Sequence, residues 1–357
     1  MKLNFRNFPY GSLPYDNAQL CKQMMLRLYE KIPYLAELPL IDKNDNIRTR
    51  TFENIPGVII KEGKFLLPEC TNEKFIMSIS HMEQACNSDN PEDYAPYGTS
   101  ETPYSSIYYE MLKRLKPEYT IVNLLGPFSF ANMVFNRNAT ILLTDRAYRK
   151  YIIHAVTVKA LWFISKIKEA SPETKPIILF EEDLLYKFGT LKRTSDEINK
   201  ETVVTLLSKV FTKIQKAGGI VAVQSLEKCN WQLIFDSAGV NMISFDAYNN
   251  PNNLHIISDD VNRFLSKGGY INWAIIPVTS EIAIKGLNLD TAYNRLISTM
   301  ESLISEGVSA DLMYRQATIS VQGHMSQLPI LFAEKALILT DKLSKKLPFT
   351  SVHSPQN

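Results

Sequence analysis

Three consecutive acidic residues, Glu181, Glu182 and Asp183, follow the apolar run of residues 177–180. Successive side chains of a strand point to opposite faces, so we expect Glu181 and Asp183 on one face and Glu182 on the other. Adjacent carboxylates repel each other, so at least one should have a raised pKa unless a cation lies nearby. Such a group could anchor a ligand amine or act as a general acid or base. The alternative is that the three acids are solvated and simply begin a loop.

Two further residues could transfer protons. Asp246 ends a stretch that predicts a buried strand, and His324 closely follows Gln322. The imidazole titrates near neutrality, so His324 could serve as acid, base or ligand. We predict Asp246 and His324 as the catalytic residues. The alternatives are that Asp246 caps the next loop and that His324 is an ordinary loop histidine.

Other predicted strand ends carry polar or aromatic side chains that could bind a substrate. Trp231 could form an apolar wall there or could be an ordinary core aromatic. The four cysteines form no C-x-x-C pair, and neither His81 nor His154 has a cysteine or a second histidine at metal-ligand spacing, so the sequence predicts no metal site. The predicted substrate-binding residues are Ser12, Glu181, Glu182, Gln224, Gln322 and Trp231.

A repeated pattern of a short β-rich run followed by a longer helical run must position these residues. This pattern predicts an α/β fold with parallel strands, specifically a single-domain (β/α)8 TIM barrel spanning residues 1–357. Residues 57–67 predict an inserted N-terminal hairpin that turns at residues 62–63, and residues 345–357 are predicted as a flexible tail. An open doubly wound sheet is the alternative, but no G-x-G-x-x-G motif follows a strand. The predicted strands are 4–14, 119–130, 176–184, 219–226, 241–248, 270–279 and 311–322. The predicted helices are 16–31 with Asp16 as N-cap, 71–84, 101–115, 145–170, 195–217, 230–238, 258–266, 288–306 and 327–346.

The composition narrows the choice of partners. The chain has 357 residues, with 39 basic and 37 acidic side chains and a net charge of +2. This balance gives no electrostatic footprint for nucleic acid or for an anionic membrane. No apolar run approaches the ~20 residues of a membrane helix, and no signal peptide is visible at the N-terminus. We therefore expect a cytoplasmic protein with a small-molecule substrate.

Six short segments carry a resemblance to a known family. In this order along the chain they are similar to segments of cobalamin-independent methionine synthase and its shorter relatives, within the uroporphyrinogen decarboxylase-like barrel superfamily. The segments are YGSLP at residues 10–14, LGPFSF at 125–130, FEEDL at 180–184, QSLEKCNW at 224–231, SFDAY at 244–248 and GYINWAIIPVT at 269–279. The resemblance implies a barrel that transfers a methyl group to a small thiol or amino-acid-like substrate.

The sequence departs from this family at the positions of its zinc ligands. Gln224 stands where the family has a histidine, Leu226 where it has a cysteine, and Gln322 where it has the later cysteine. An amide is a poor zinc ligand and leucine is none, so zinc is not expected. The amine-anchoring carboxylate of the family could survive as Glu181.

Two functions from different classes remain open. The first is a methyltransferase-like barrel with Ser12 and Glu181 as polar anchors; the resemblance implies a folate or corrinoid methyl donor, the latter carried by a corrinoid protein. The second is a barrel without catalysis that binds a ligand or regulates a partner. Decarboxylation of a tetrapyrrole is disfavoured, because the strand ends lack the basic cluster that would hold several carboxylates.

Overall fold

A six-stranded parallel sheet is the centre of the fold. The computed structural model describes residues 3–61, 64–68, 72–136, 142–189 and 198–347. In these residues the sheet has the order β3-β5-β6-β7-β8-β9, and every neighbouring pair is parallel. The strands of the structure are β1 (Ile59–Lys61), β2 (Lys64–Leu67), β3 (Tyr119–Leu125), β4 (Val134–Asn136), β5 (Lys175–Glu181), β6 (Ile220–Ser225), β7 (Met242–Phe245), β8 (Tyr270–Ile276) and β9 (Ala317–Val321).

Two extended segments adjoin the outer strands of this sheet. Residues 5–8 lie against β9, and residues 34–37 lie against β3. Proline has no N–H to donate to a ladder; Pro9 directly follows the first segment and Pro33 directly precedes the second, so neither continues past its proline as a regular strand. Three isolated parallel bridges result: Asn7 with Ile319, Ser12 with Glu37, and Tyr34 with Ile121. The sequence predicted a strand over 4–14, and the structure has only isolated bridges there. The central sheet of the described residues has six parallel strands, so the predicted eight-stranded barrel is not confirmed.

The two faces of the sheet differ in polarity. On one face apolar side chains pack against the surrounding helices, as Phe180 does against Phe211 at a ring-centroid distance of 5.4 Å. The other face carries several polar side chains among its apolar ones. The Thr318 hydroxyl donates to Asn272 Oδ1 at 2.9 Å, and Asn272 Nδ2 donates to the Ser244 hydroxyl at 2.8 Å. The polar face therefore brings buried side chains of neighbouring strands together: Asn123, Glu181, Gln224, Ser244, Asn272, Thr318 and Ser320.

Most predicted helices are confirmed, with three corrections. The first helix has Asn17, not Asp16, as its N-cap. Residues 127–133 form a helix where the strand 119–130 was predicted to continue, because Pro127 fits the first turn of a helix. Residues 310–315 are helical where the last strand was predicted to begin. The helices are α1 (Ala18–Leu28), α2 (Ile47–Phe52), α3 (Glu73–Asn87), α4 (Pro103–Leu115), α5 (Pro127–Met133), α6 (Arg146–Ala170), α7 (Lys200–Lys216), α8 (Trp231–Asp236), α9 (Ser258–Ser266), α10 (Glu281–Gly286), α11 (Leu289–Ser305), α12 (Ala310–Arg315) and α13 (Ile330–Lys346).

The predicted hairpin is present as the antiparallel pair of β1 and β2, and β2 also pairs with β4 in parallel. Its turn at residues 62–63 lies outside the described residues. The predicted tail begins within α13, which ends at Lys346, and residues 348–357 lie outside the described residues. Of the helices that the structure describes, none has the length and apolar character required to cross a membrane.

One ammonium group is buried among the helices that surround the sheet. Lys159 of α6 is fully buried, and its Nζ donates to the carbonyl oxygens of Glu53 at 2.6 Å and Gly98 at 3.2 Å. Burial lowers the pKa of Lys159 to about 7, although the Glu53 carboxylate opposes the shift. Lys159 thus joins three segments of the chain, but its burial disfavours the charged form of the side chain.

We expect Lys159 to make stability depend on pH. Its folded pKa lies below the ordinary ~10.4, so the unfolded chain binds more protons between about pH 7 and pH 10, and stability rises with pH in that window. In Lys159→Met this rise, on the order of 3 kcal/mol, should disappear. Urea unfolding at several pH values measures it. Lys166→Met, an exposed control, should keep the rise, and an unchanged pH dependence in Lys159→Met would refute the assignment.

Candidate functional site

Glu181 and His324 form an ion pair at the carboxyl end of the sheet, which we call the mouth. Glu181 is the last residue of β5 and is buried, whereas 33% of the His324 side chain is exposed. His324 Nε2 lies 3.2 Å from Glu181 Oε2, and Asn123 Nδ2 donates to Glu181 Oε1 at 3.0 Å. Burial raises the pKa of Glu181, but His324, Asn123 and Arg50 outweigh it and hold the pKa below its usual value. Glu181 is therefore an ionised carboxylate that orients a histidine facing the solvent.

A second buried carboxylate, Glu37, completes this arrangement. Asn123 Nδ2 donates to Glu37 Oε1 at 2.7 Å, and Glu37 Oε2 lies 3.8 Å from His324 Nδ1. Arg50 donates to Asn123 Oδ1 and lies 3.8 Å from Glu37. The mouth cluster consists of Glu37, Arg50, Asn123, Glu181 and His324. The sequence predicted only Glu181 and His324 of these, although Asn123, a polar residue inside an apolar run, is a signal for a third member.

The His324 ring is subject to two opposing influences. The Ser12 backbone N–H donates to Nδ1 at 3.1 Å, which requires an unprotonated Nδ1 and places the first proton on Nε2, toward Glu181. Burial lowers the pKa of His324, but Glu181, Glu37 and Asp183 outweigh it and raise the pKa to about 10. A second proton, on Nδ1, is thus favoured by the carboxylates and opposed by the Ser12 N–H.

The other two acids of the predicted triplet hold backbone groups. Glu182 points to the opposite face from Glu181, as alternation predicted, and accepts the N–H groups of Phe128 at 2.9 Å and Ser129 at 2.7 Å. Burial raises the pKa of Glu182 to about 7, although these two N–H groups partly offset it. Asp183 accepts the Leu226 N–H at 2.8 Å, and burial and Glu181 raise its pKa to about 6. Glu182 therefore fixes the start of α5 and does not face the mouth cluster.

The Asp246 carboxylate accepts four hydrogen bonds. Its carboxylate accepts the backbone N–H groups of Tyr248 at 3.0 Å and Asn249 at 2.9 Å, as well as Asn249 Nδ2 at 2.8 Å. Gln322 Nε2 adds a fourth bond at 2.7 Å, and Gln322 Oε1 accepts the Val278 N–H at 3.2 Å. This geometry favours the loop-capping role that the sequence left open for Asp246. Gln322 lies near the mouth, but both ends of its amide are occupied.

Tyr10 lies among Gln224, Gln322 and Glu181, three of the predicted substrate-binding residues. Its hydroxyl donates to the Gln322 carbonyl, and its ring meets His324 edge-on at a centroid distance of 6.3 Å. Burial, together with the Glu181 charge, raises the pKa of Tyr10 well above its ordinary value, and the neighbouring Gln224 amide partly lowers it. The three predicted residues thus converge on a buried phenol.

Two of the predicted substrate-binding residues have buried polar atoms that make no hydrogen bond within the described residues. Gln224 is fully buried, and within the described residues neither end of its amide meets the geometry of a hydrogen bond. The indole Nε1 of Trp231, buried at the start of α8, also has no hydrogen-bond partner in that part of the chain. Unsatisfied buried polar groups are costly, so a small polar ligand or water beside Gln224 would be stabilised.

The donor atoms at the mouth do not fit zinc. Leu226 supplies none, Gln224 offers only an amide, and the Gln322 amide already holds Asp246 and Val278. Within the ranges that the structure describes, no group of three histidine, cysteine, aspartate or glutamate side chains could hold a metal ion.

Two of the larger clefts of the described residues lie between helices. One of about 990 Å³ separates α4 from α6, and one of about 500 Å³ separates α6 from α7. Neither is lined by a member of the mouth cluster.

Comparisons with known proteins give only distant likenesses. No family model matches the sequence, and no curated protein matches it. A B12-independent methionine synthase from Shewanella sp. W3-18-1 is 12% identical over 70% of this chain and 68% of that chain, with a TM-score of 0.46. A methyltransferase from Methanosarcina mazei is 10% identical over 66% and 63%, with a TM-score of 0.40. A pneumococcal exo-beta-D-N-acetylglucosaminidase is 13% identical over 81% and 70%, with a TM-score of 0.42. These TM-scores are too low to support an assignment of family or function.

We expect Glu181→Gln to shift the titration of His324. The folded pKa of His324 is raised, so its contribution to stability is complete below the ordinary value near ~6.5 and is lost as the pH rises through about 10. Without the Glu181 charge, the pKa falls and the loss moves to lower pH. Imidazole NMR measures the midpoint. Glu306→Gln, which removes the partner of His255, is the matched control and should leave His324 unchanged.

We expect Glu182→Ala to destabilise the fold by about 2–4 kcal/mol, because two buried N–H groups lose their acceptor. Glu182→Gln keeps one acceptor oxygen and should cost less. Denaturant unfolding measures both. Gly126 makes this contact possible, since a Cβ there would come within 2.3 Å of the Glu182 carboxyl carbon. A loss below about 0.5 kcal/mol in Glu182→Ala would contradict the assignment.

Proposed function

We propose that this chain is a methyltransferase-like barrel that binds a small thiol or amino-acid-like substrate at its mouth without catalytic zinc. The observation that carries the proposal is the Glu181–His324 pair, a solvent-facing histidine held by a buried carboxylate at the carboxyl end of a parallel sheet. Active sites of barrel enzymes lie at this end. In this proposal the segments 5–8 and 34–37 take the places of the two remaining barrel strands.

His324 is the better of the two predicted catalytic residues. The Asp246 carboxylate already accepts four hydrogen bonds, so it has little capacity left for a substrate proton. The exposed His324 ring is flanked by carboxylates that favour its charged form, and a charged imidazole beside a thiol stabilises the thiolate. His324 would therefore activate the thiol that zinc activates in the family that the sequence resembles.

The remaining predicted residues would position the substrate. Ser12 supplies the backbone N–H that orients His324, and the unsatisfied Gln224 amide could meet a polar group of the substrate. A folate or a corrinoid would donate the methyl group, the corrinoid presented by a corrinoid protein. Both methyl donors are part of the proposal, and only the resemblance to the methionine synthase family suggests them.

A ligand-binding barrel without catalysis is the second candidate. Two observations favour it. The Tyr10 phenol fills the space among Gln224, Gln322 and Glu181, and Gln322 donates a hydrogen bond to Asp246. In this case His324 would recognise a ligand and no methyl group would be transferred.

Incubation of the purified protein with homocysteine and methyl-tetrahydrofolate, or with homocysteine and methylcobalamin, tests the proposal. We expect methionine to form and His324→Gln to slow its formation roughly 100-fold, because the thiolate loses the positive charge that stabilises it. His255→Gln, a histidine in a different ion pair, is the matched control and should retain activity. Stabilisation of the protein by homocysteine without turnover would support the ligand-binding barrel. Neither stabilisation nor turnover would contradict both candidates.

A further inference from the structure

The cleft of about 500 Å³ between α6 and α7 is lined by one stripe of side chains from each helix. Residues three and four apart share one face of a helix, so each stripe follows about two helical turns. The α6 stripe consists of Arg146, Arg149, Lys150, Ile153 and His154, and the α7 stripe of Thr202, Thr205, Leu206 and Lys209. A cleft of this volume is large enough for a small organic ligand.

The lining of this α6–α7 cleft has an excess of positive charge. It contains four cations and two acids: Arg146, Arg149, Lys150, Lys209, Glu83 and Glu201. The whole chain has a net charge of +2, from 39 basic and 37 acidic side chains, so outside the cleft the two signs are equal in number. One concave surface thus carries an excess as large as that of the whole chain, and such a surface attracts anions.

The stability of the helices does not explain these cations. A helix N-terminus carries a partial positive charge, so cations in the first turn are unfavourable there. The first turn of α6 nevertheless contains Arg146 and Arg149 and no acidic residue. Neither Arg146 nor Lys209 has an ion-pair or hydrogen-bond partner in the part of the chain that the structure describes. An anion bound in the cleft would supply the missing partner.

The other side chains of the lining suit a phosphate group joined to an organic group. Arg149 uses only Nη1 for the protein, donating to the carbonyl oxygens of Leu143 at 2.6 Å and Thr144 at 3.0 Å, so its remaining N–H groups are left for a ligand. Arginine binds phosphate oxygens through pairs of such N–H groups. Ile153 and Leu206 add an apolar surface on which an organic group can pack.

His154 lies among these charges and can report a bound anion. Its side chain is 13% exposed, and its Nε2 lies 3.9 Å from Glu83 Oε1. Burial lowers the pKa of His154, Glu83 opposes this shift, and Lys150, Lys209 and Lys213 add to it. Negative charge placed between the cations of the two helices would favour the charged imidazole and raise this pKa.

We propose that the α6–α7 cleft binds a phosphorylated small molecule, with Arg146, Arg149 and Lys209 in contact with the phosphate group. A phosphate monoester dianion compensates the excess of two positive charges. The organic group of the ligand packs on Ile153 and Leu206. The site is separate from the mouth, so it does not depend on the proposed function.

Calorimetric titrations at about pH 8, where a phosphate monoester is a dianion, test the proposal. The ionic strength is held constant, because salt screens exposed charges. We expect one molecule of phenyl phosphate to bind per chain, roughly tenfold more tightly than inorganic phosphate, since only its ring can pack on the apolar surface. Benzenesulfonate has the same ring but one charge less, and we expect it to bind roughly tenfold more weakly than phenyl phosphate.

Equal affinities for phenyl phosphate and benzenesulfonate would overturn the assignment of a phosphate site. Equal affinities for phenyl phosphate and inorganic phosphate would overturn the assignment of an organic group on Ile153 and Leu206.

A double variant tests which cations contact the phosphate group. Arg146→Gln combined with Lys209→Gln should weaken phenyl phosphate binding at least roughly tenfold, because two charge-assisted contacts are lost. Both side chains are exposed, so we expect the variant to fold. Arg315→Gln combined with Lys345→Gln is the matched control, since it removes the same charge from α12 and α13, and it should keep the affinity within about twofold. Equal weakening in both double variants would show a general effect of net charge and contradict the proposal.

Imidazole NMR shows where phenyl phosphate binds. Saturation should raise the titration midpoint of His154 by roughly half a pH unit and leave that of His324 unchanged. In Arg146→Gln combined with Lys209→Gln, the same ligand concentration should no longer move His154. A bound ligand that moves His324 and not His154 would lie at the mouth, and the assignment to the α6–α7 cleft would be wrong.

Discussion

Two carboxylates that are buried beside each other need positive charge or protons close by. Glu37 and Glu181 meet this requirement through Arg50 on one side and His324 on the other, with Asn123 donating to both. Removing one member would leave an uncompensated charge in a poorly screened site, which is strongly destabilising. This compensation explains why a histidine is held in one orientation although a third of its side chain is open to solvent.

The fold satisfies this constraint by joining distant segments. Glu37 lies on the segment beside β3, and Glu181 ends β5. Asn123 pairs with Leu179, two residues before Glu181 on the same face, and its amide donates to both carboxylates. His324 follows β9 and is fixed by the backbone of Ser12 near the other end of the chain. The backbone of the N-terminal segment therefore contributes to the mouth as much as the strands do.

The elements with a strong local signal could be predicted from the sequence. The long helix α6, predicted over residues 145–170, has neither glycine nor proline in its 25 residues, and the division of Glu181 and Glu182 between two faces follows from strand alternation. Glu37 could not be predicted, because Pro33 and Pro39 leave too short a run between them to show a strand pattern. Asn123 is a single polar residue in an apolar strand, and only pairing with β5 shows that it meets Glu181. Asp246 directly follows β7, but its role depended on donors from its own loop and from Gln322.

An experimental structure of the protein soaked with homocysteine tests the central claim most directly, namely that the charge-compensated histidine at the mouth is where the protein meets its ligand. The account predicts density for the amino acid at the mouth, with its sulfur beside His324 and a polar group near the Gln224 amide. Density only in the cleft of about 990 Å³ between α4 and α6, with the mouth unchanged, would contradict it.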